Sequence, residues 1–274
     1  MKKCARDVPI KHWSHSSLVS FLSNPLAWYK RYVEGIYDTP SSPASVIGRA
    51  GHVALQHFYG GIDKIGAIDL GLEYLRDVPD FEINFGKARS RAAQRKKRLQ
   101  MEREYLQAIN FYLKRPPRHK VLGIEVKATV DIPGFALPLK AVSDLVVESR
   151  VDKNAVDIVD HKFVAAFSSL GKDKTLFLMQ ALFNYYTVQK EFQKEVRRFI
   201  FIECKKTKNA NGVAQLRRHV IDFKDYTDEF SVFQRLINDA TSELKRKKVF
   251  LPNPLDMFEG EESFAVYRMG LLDD

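Results

Sequence analysis

The chain has 274 residues, 45% of them apolar, so it can bury a core and is not expected to be disordered. Its 44 Lys and Arg residues exceed its 34 Asp and Glu residues, and the formal net charge of +10 favours a polyanionic partner. Two cysteines cannot build a disulfide framework, no apolar run reaches the roughly 20 residues of a membrane span, and the first residues lack a signal peptide's apolar segment. We therefore expect a cytoplasmic protein with no membrane partner.

Helical patterns dominate the N-terminal part of the chain. Apolar residues at helical spacing follow two N-cap candidates, Ser14 and Ser16, and Pro25 suits the first turn of a second helix. A third helix is predicted over residues 45–59. Residues 62–115 are predicted to form an all-helical insertion within one domain that spans residues 1–274.

A β pattern replaces the helical one after residue 120. Segments 121–132, 135–149 and 155–164 are rich in β-branched residues and joined by short turns, which predicts three consecutive antiparallel strands. The elements that follow are a long helix, a hairpin and a final helix, predicted over 173–194, over 197–206 with 215–223, and over 227–248. This order predicts an α+β fold with a central mixed β-sheet, flanking helices and a helical N-terminal region.

Two aspartates and one lysine lie on neighbouring predicted strands. Asp160 and Lys162 are two residues apart and share one face of a strand, and pairing through the turn at 151–154 would bring Asp144 beside Asp160. Two carboxylates in an apolar sheet repel each other unless a cation lies between them, and hard oxygen ligands favour Mg²⁺ or Mn²⁺. Lys162 could then orient water and stabilise charge on a phosphate. The alternative is a pair of strand-end aspartates with a solvated lysine partner.

Four segments in order resemble the RecB-type nucleases of the PD-(D/E)XK superfamily. Residues 14–35 resemble the N-terminal helices of that family, and GRAGH at 48–52 resembles its first motif. LKAVSD at 139–144 matches the strand that carries the second motif's aspartate, and IVDHK at 158–162 matches the third motif.

The resemblance implies a restriction-endonuclease-like core. It also implies a metal-dependent deoxyribonuclease, and the version that we favour is an exonuclease in DNA recombination, repair or phage replication. It assigns metal binding to His52, Asp144, Asp160 and the backbone carbonyl of His161. It makes Lys162 the catalytic lysine. Without the order of the motifs, His52 would be interpreted as a helix histidine hydrogen-bonded near the core.

The family's fourth motif, Gln followed four residues later by Tyr, is incomplete in this chain. Asn184 stands four residues after Gln180, and Tyr185 comes next. We expect Gln180 to contact DNA, whereas Tyr185 either contacts DNA or packs in the core. Glu125 stands where relatives often carry an acid, and it either supports the metal ligands or is a surface charge of its strand.

Many relatives hold an iron–sulfur cluster, which this chain is not expected to have. Asn24 stands before the early proline in place of a cysteine, and the C-terminal segment contains no cysteine. A [4Fe–4S] cluster needs four thiolate ligands, so the expected cofactor is one or two ions of Mg²⁺ or Mn²⁺. The chain also has no helicase P-loop, so a helicase or recombination protein would be a separate partner.

A helix dense in Arg and Lys is predicted over residues 87–107. Its cations at i, i+4, i+8 and i+11 are Lys87, Arg91, Arg95 and Arg98. On one helix these four would share a face and could meet several phosphates of DNA. The alternative is a solvated helix face on which the cations are balanced by glutamates.

Three alternatives to an exonuclease stay open. A catalytically silent DNA-binding or assembly module with the same fold would bind DNA without cleaving it. A structure-specific endonuclease or an RNA nuclease would share the chemistry and differ in substrate. An unrelated α+β enzyme with an incidental Asp-x-Lys would bind no Mg²⁺ or Mn²⁺ near Asp160.

Overall fold

The computed structural model of the chain describes residues 8–36, 40–168, 174–210, 215–247 and 249–253. The strands within these residues are β1 (Trp13–Ser14), β2 (Val121–Val130), β3 (Leu139–Glu148), β4 (Val156–Val164), β5 (Val196–Lys205) and β6 (Leu216–Asp222). The α-helices are α1 (His15–Ser23), α2 (Pro25–Tyr32), α3 (Pro43–Tyr59), α4 (Lys64–Asp77), α5 (Arg91–Lys114), α6 (Lys174–Phe192) and α7 (Thr227–Arg246).

The strands form one mixed sheet. β2, β3 and β4 pair antiparallel in chain order, β4 pairs parallel with β5, and β5 pairs antiparallel with β6. This pairing confirms the predicted strand triplet, the hairpin and the α+β class. Residues 211–214, at the turn of the predicted hairpin, lie outside the described residues.

One helical layer covers each face of the sheet. The first core cluster joins the sheet to α1, α2, α6 and α7, and its largest fully buried side chains include Trp13, Trp28 and Phe183. The second cluster joins the other face to α3, α4 and α5 and includes Tyr105 and Tyr112. None of the described helices combines the length and apolarity that a membrane crossing requires.

Two buried tryptophans fix the N-terminal strand and helix on the sheet. The indole N–H of Trp13 donates to Thr241 Oγ1 at 2.9 Å, and that of Trp28 donates to Ser17 Oγ at 3.1 Å. Both rings are fully buried, so each polar N–H needs such a partner. These bonds tie β1, which pairs with β3, to α7, and they tie α2 to the start of α1.

The basic helix begins later than predicted. Ser90 caps α5 by accepting from Ala93 N at 3.2 Å, so the helix starts at Arg91 and Lys87 lies in the preceding loop. The prediction of one helical face that includes Lys87 is therefore wrong. The cap explains the difference, because a serine side chain satisfies free N–H groups at a helix start.

Arg98 points towards the neighbouring helix. Its guanidinium pairs with Asp80 at 2.7 Å and donates to the backbone carbonyls of Leu75 and Val78. Because these groups occupy its donors, Arg98 ties α5 to the end of α4. Arg91 and Arg95 are exposed.

The strands β2 and β3 change face at one matched position. Ser143 on β3 donates to Asn184 on α6, yet Leu145, two residues later, packs in the cluster on the opposite face. On β2, Val126 packs against the first cluster and Ile124 against the second. Residues two apart normally share a face, so both strands shift phase at the position between these pairs. On β2 the position of the phase shift is Glu125, whose φ of +48° is a strained conformation for a residue other than glycine.

Candidate active site

Asp144 lies at the phase shift in β3 and accepts hydrogen bonds from two sides. Its Oδ2 accepts from the backbone N–H of His161 at 2.8 Å and lies 3.2 Å from Nδ1 of His52. The β3–β4 register ends at Leu145 with Val159, so Asp144 and Asp160 are the next residues on the two strands. The structure thus brings the two aspartates to one end of the ladder.

A second acid joins this group from β2. One ligand atom each from His52, Glu125 and Asp144 lies within 4.8 Å of the others. The β2–β3 register places Ile124 opposite Leu145 and Val126 opposite Ser143, so Glu125 stands across from Asp144. Of the two interpretations of Glu125, this position favours a role at the metal ligands.

Asp160 is held by two other side chains. Its Oδ2 lies 2.8 Å from Nζ of Lys162, and its Oδ1 accepts from Gln180 Nε2 at 2.7 Å. The side chain of Asp160 is only 5% exposed, whereas Lys162 is 34% exposed. Asp160 and Lys162 therefore share one face of β4, and Gln180 reaches them from α6.

The charges of the site act on one another strongly. Burial raises the pKa of Asp160, the ammonium of Lys162 opposes that rise, and the charge of Asp144 adds to it. Burial would also raise the pKa of Asp144, but His52 and the hydrogen bonds from His161 hold it below its usual range. Burial and the charge of Asp144 raise the pKa of Glu125. Three carboxyl groups are thus crowded together, which a cation would relieve.

This donor set fits a hard divalent cation. Carboxylate oxygens with one imidazole suit Mg²⁺ or Mn²⁺, whose ligand distances of about 2.1 Å place opposite ligands about 4.2 Å apart. The group formed by His52, Glu125 and Asp144 has this scale. Asp160 does not belong to that group, and its two carboxylate oxygens are paired with Lys162 and Gln180 instead.

A hydrogen-bonded chain supports the site from the α3–α5 layer. Nε2 of His161 lies 2.8 Å from the hydroxyl of Tyr112, which lies 3.0 Å from the hydroxyl of Tyr59. Tyr59 donates in turn to the carbonyl of Pro117 at 3.1 Å. The other ring nitrogen of His161 is 3.5 Å from Asp144 Oδ2, so the chain orients this imidazole beside the carboxylate.

The sequence contains no signal that the two tyrosines take part in this hydrogen-bonded network. Tyr59 and Tyr112 lie on different helices and belong to none of the motifs, and only the packing of α3 against α5 brings them together. Burial raises the pKa of Tyr59 to about 12 and the pKa of Tyr112 well above its ordinary value. Both hydroxyls therefore stay protonated and can donate.

Tyr185 lies on the opposite side of α6 from the carboxylates. Its ring packs edge-on against Phe223 and Phe230, with centroids 4.8 and 4.7 Å away, and its hydroxyl accepts from Gln189 at 3.3 Å. These contacts favour the packing alternative for Tyr185. Gln180 is the member of the incomplete fourth motif that reaches the site.

A family model supports the class that the fold and the site indicate. The model of the PD-(D/E)XK nuclease superfamily matches residues 12–256, and the chain belongs to that superfamily. Nucleases of this superfamily use divalent metal ions, which agrees with the donor group described above.

The comparison with solved structures supports the fold. A candidate exonuclease from Eubacterium rectale is 15% identical, with a TM-score of 0.53 over 91% of this chain and 86% of that chain. At this identity the likeness shows the fold alone. A structure named SSO0001 is 12% identical over 92% of this chain and 91% of that chain, but its TM-score of 0.30 supports no argument. The comparison with curated proteins gives no match.

Proposed function

We propose that the protein is a DNA exonuclease that depends on Mg²⁺ or Mn²⁺ and acts in DNA recombination, repair or phage replication. The observation that carries the proposal is the convergence of His52, Glu125 and Asp144 beside the ion pair of Asp160 and Lys162. The whole chain, residues 1–274, would act as one nuclease domain.

The metal would be held where the pairing of β3 with β4 ends. His52, Glu125 and Asp144 offer the first ligands, and Asp160 with the backbone carbonyl of His161 would complete the set. When bound, the ion activates a water molecule and polarises a phosphate oxygen for phosphodiester hydrolysis. The low pKa of Asp144 keeps its carboxylate ionised as a ligand.

Lys162 would supply a fixed positive charge to the reaction. Burial lowers its pKa, but the charges of Asp160 and Asp144 outweigh that effect and raise it, so the ammonium group stays protonated. From its position beside Asp160 it would orient the attacking water and stabilise the negative charge that develops on the phosphate.

The proposed substrate is DNA. A net charge of +10 favours a polyanion, and Arg91, Arg95 and Lys87 are exposed cations that could contact its backbone. Arg98 is not part of this proposal, because it is engaged with Asp80 and two carbonyls. A separate helicase or recombination protein would provide unwound ends.

Cleavage assays test the function. End-labelled linear duplex, single-stranded DNA and closed circles are incubated with Mn²⁺ and with chelator. We expect the native protein to degrade linear DNA only with the metal, and Asp144→Asn and Lys162→Met to abolish cleavage. Matched controls are the exposed residues Asp131 and Lys153, changed to Asn and Met, which should leave cleavage unchanged.

Each other result selects a different function. Binding without cleavage by the native protein would indicate a silent DNA-binding module. Cutting of closed circles would indicate an endonuclease. Preferential cleavage of RNA would assign the same chemistry to an RNA nuclease.

A further inference from the structure

A gap in strand pairing opens beside the candidate active site. β2 pairs with one edge of β3 along its length, so β1 and β4 share the other edge. β1 pairs with Leu139 and Lys140, whereas β4 pairs with Leu145–Glu148. The intervening residues, 141–144, have no strand partner on that edge among the described residues, and Asp144 is the last of them.

A groove of about 680 Å³ lies in this gap. Its walls come from β3, from the segment that leads through β1 into α1, and from α2 and α6. Lys11, Arg31 and Lys140 line the groove, and its described lining includes no Asp or Glu. A groove with three cations and no acid attracts an anionic ligand.

The groove leads to the carboxylates of the active site. Gln180 lines the groove and also donates its amide N–H to Asp160. Lys140 and Val142 line it from β3, four and two residues before Asp144. At about 3.3 Å per residue, the Cα of Lys140 lies roughly 13 Å from that of Asp144. The end at Lys140 is therefore basic, and Gln180 links the groove to Asp160, next to the candidate metal site.

The basic end also offers rings and backbone donors. His12, His15 and Tyr32 line the groove and can stack on bases. Burial and the charge of Lys140 lower the pKa of His12, which keeps this imidazole neutral at neutral pH. The nine-residue helix α1 starts at the groove, and a helix N-terminus favours phosphate.

We propose that this groove binds a single DNA strand and guides its phosphates from Lys11 and Lys140 to the candidate metal site. This inference rests on the proposed function and adds the substrate form and its path. Pockets of about 300–1,000 Å³ hold drug-sized molecules, and the groove falls in this range, so it has room for a few nucleotides of one strand but not for a paired duplex. A single strand fits the volume and exposes its bases to the rings.

Binding without cleavage tests the path. Fluorescence anisotropy is measured with a labelled single-stranded oligonucleotide in Ca²⁺, for the native protein and for a Lys11→Gln/Lys140→Gln double variant. The control is Lys64→Gln/Lys153→Gln, which removes the same charge away from the groove. Losing two phosphate contacts should weaken binding at least tenfold and reduce the slope of log K against log salt by about 1.4, whereas the control should change neither. Unchanged binding in the groove variant, or an equal loss in the control, would overturn the proposal.

Two variants of opposite charge at Val142 distinguish an effect on DNA binding from damage to the fold. This side chain is 39% exposed on the groove wall, between the basic end and Asp144. Val142→Lys should strengthen binding of the oligonucleotide and Val142→Glu should weaken it, whereas damage to the fold would weaken binding in both variants. Equal binding by the two variants would contradict a DNA path along this wall.

The result is separable from the proposed nuclease activity. If the groove variants lose binding but the native protein never cleaves, the path stands and the proposed function falls. If the native protein cleaves and the Lys11→Gln/Lys140→Gln variant cleaves with unchanged KM, the function stands and the path falls. Tighter binding of a blunt duplex or of RNA with the same dependence on the groove lysines would overturn the assignment to single-stranded DNA.

Discussion

The hydroxyl of Tyr112 should contribute measurably to stability. Tyr112→Phe removes one oxygen atom that lies 2.8 Å from His161 Nε2 and 3.0 Å from the Tyr59 hydroxyl. Tyr59 keeps its bond to the Pro117 carbonyl, but the buried Nε2 of His161 loses its partner. Leaving one buried polar group unsatisfied costs about 1–3 kcal/mol, so we expect a loss of about 2 kcal/mol in the free energy of unfolding.

Tyr185→Phe is the matched control for this experiment. It removes the same atom from a half-buried ring whose hydroxyl accepts one bond from Gln189 at 3.3 Å. We expect this variant to lose less than about 0.5 kcal/mol, as is usual for substitutions away from buried networks. Urea denaturation of both variants at neutral pH gives the comparison. Equal losses in the two variants, or a Tyr112→Phe variant as stable as the native protein, would refute the argument.

Three further predictions concern metal binding, packing and pH. Mn²⁺ at about 100 times its Kd should stabilise the native protein by about 2.7 kcal/mol in thermal or urea unfolding. Asp144→Asn should remove most of that gain. If the Asp144→Asn variant keeps the gain, the metal binds elsewhere. Gly51→Ala should cost about 1–3 kcal/mol, because its Cβ would overlap the Phe163 ring, whereas Gly48→Ala, with open space around it, should be neutral or stabilise α3. Urea midpoints in the reverse order would contradict the packing. Burial lowers the pKa of His119 to about 4, so as the pH falls this imidazole is protonated in the unfolded chain before it is protonated in the folded protein. The free energy of unfolding should therefore decrease as the pH falls from about 6.5 towards 4. A His119→Gln variant with the same pH dependence as the native protein would contradict this.

The sequence predicted the sheet because each strand carries its own local signal. β-Branched segments and short turns defined β2, β3 and β4, and the turn at 151–154 fixed the register that brings Asp144 beside Asp160. The spacing of two residues was also sufficient to place Lys162 on the face of Asp160. These predictions needed no contact between distant parts of the chain.

The parts of the site that were not predicted depend on long-range packing. The sequence left two roles open for Glu125, because its place across from Asp144 depends on the β2–β3 register and an alternating pattern cannot show a residue with positive φ. Tyr59 and Tyr112 meet through the packing of two helices. The predicted start of the basic helix was wrong, because composition alone does not distinguish Lys87 in a loop from a cation on the helix that starts at Arg91.

Anomalous diffraction from crystals grown with Mn²⁺ tests the central claim most directly. We expect an anomalous peak for an Mn²⁺ ion bound by His52, Glu125 and Asp144, with Lys162 close to the ion but not bound to it. Full occupancy of Mn²⁺ at another site, with these side chains still bonded only to one another, would contradict it.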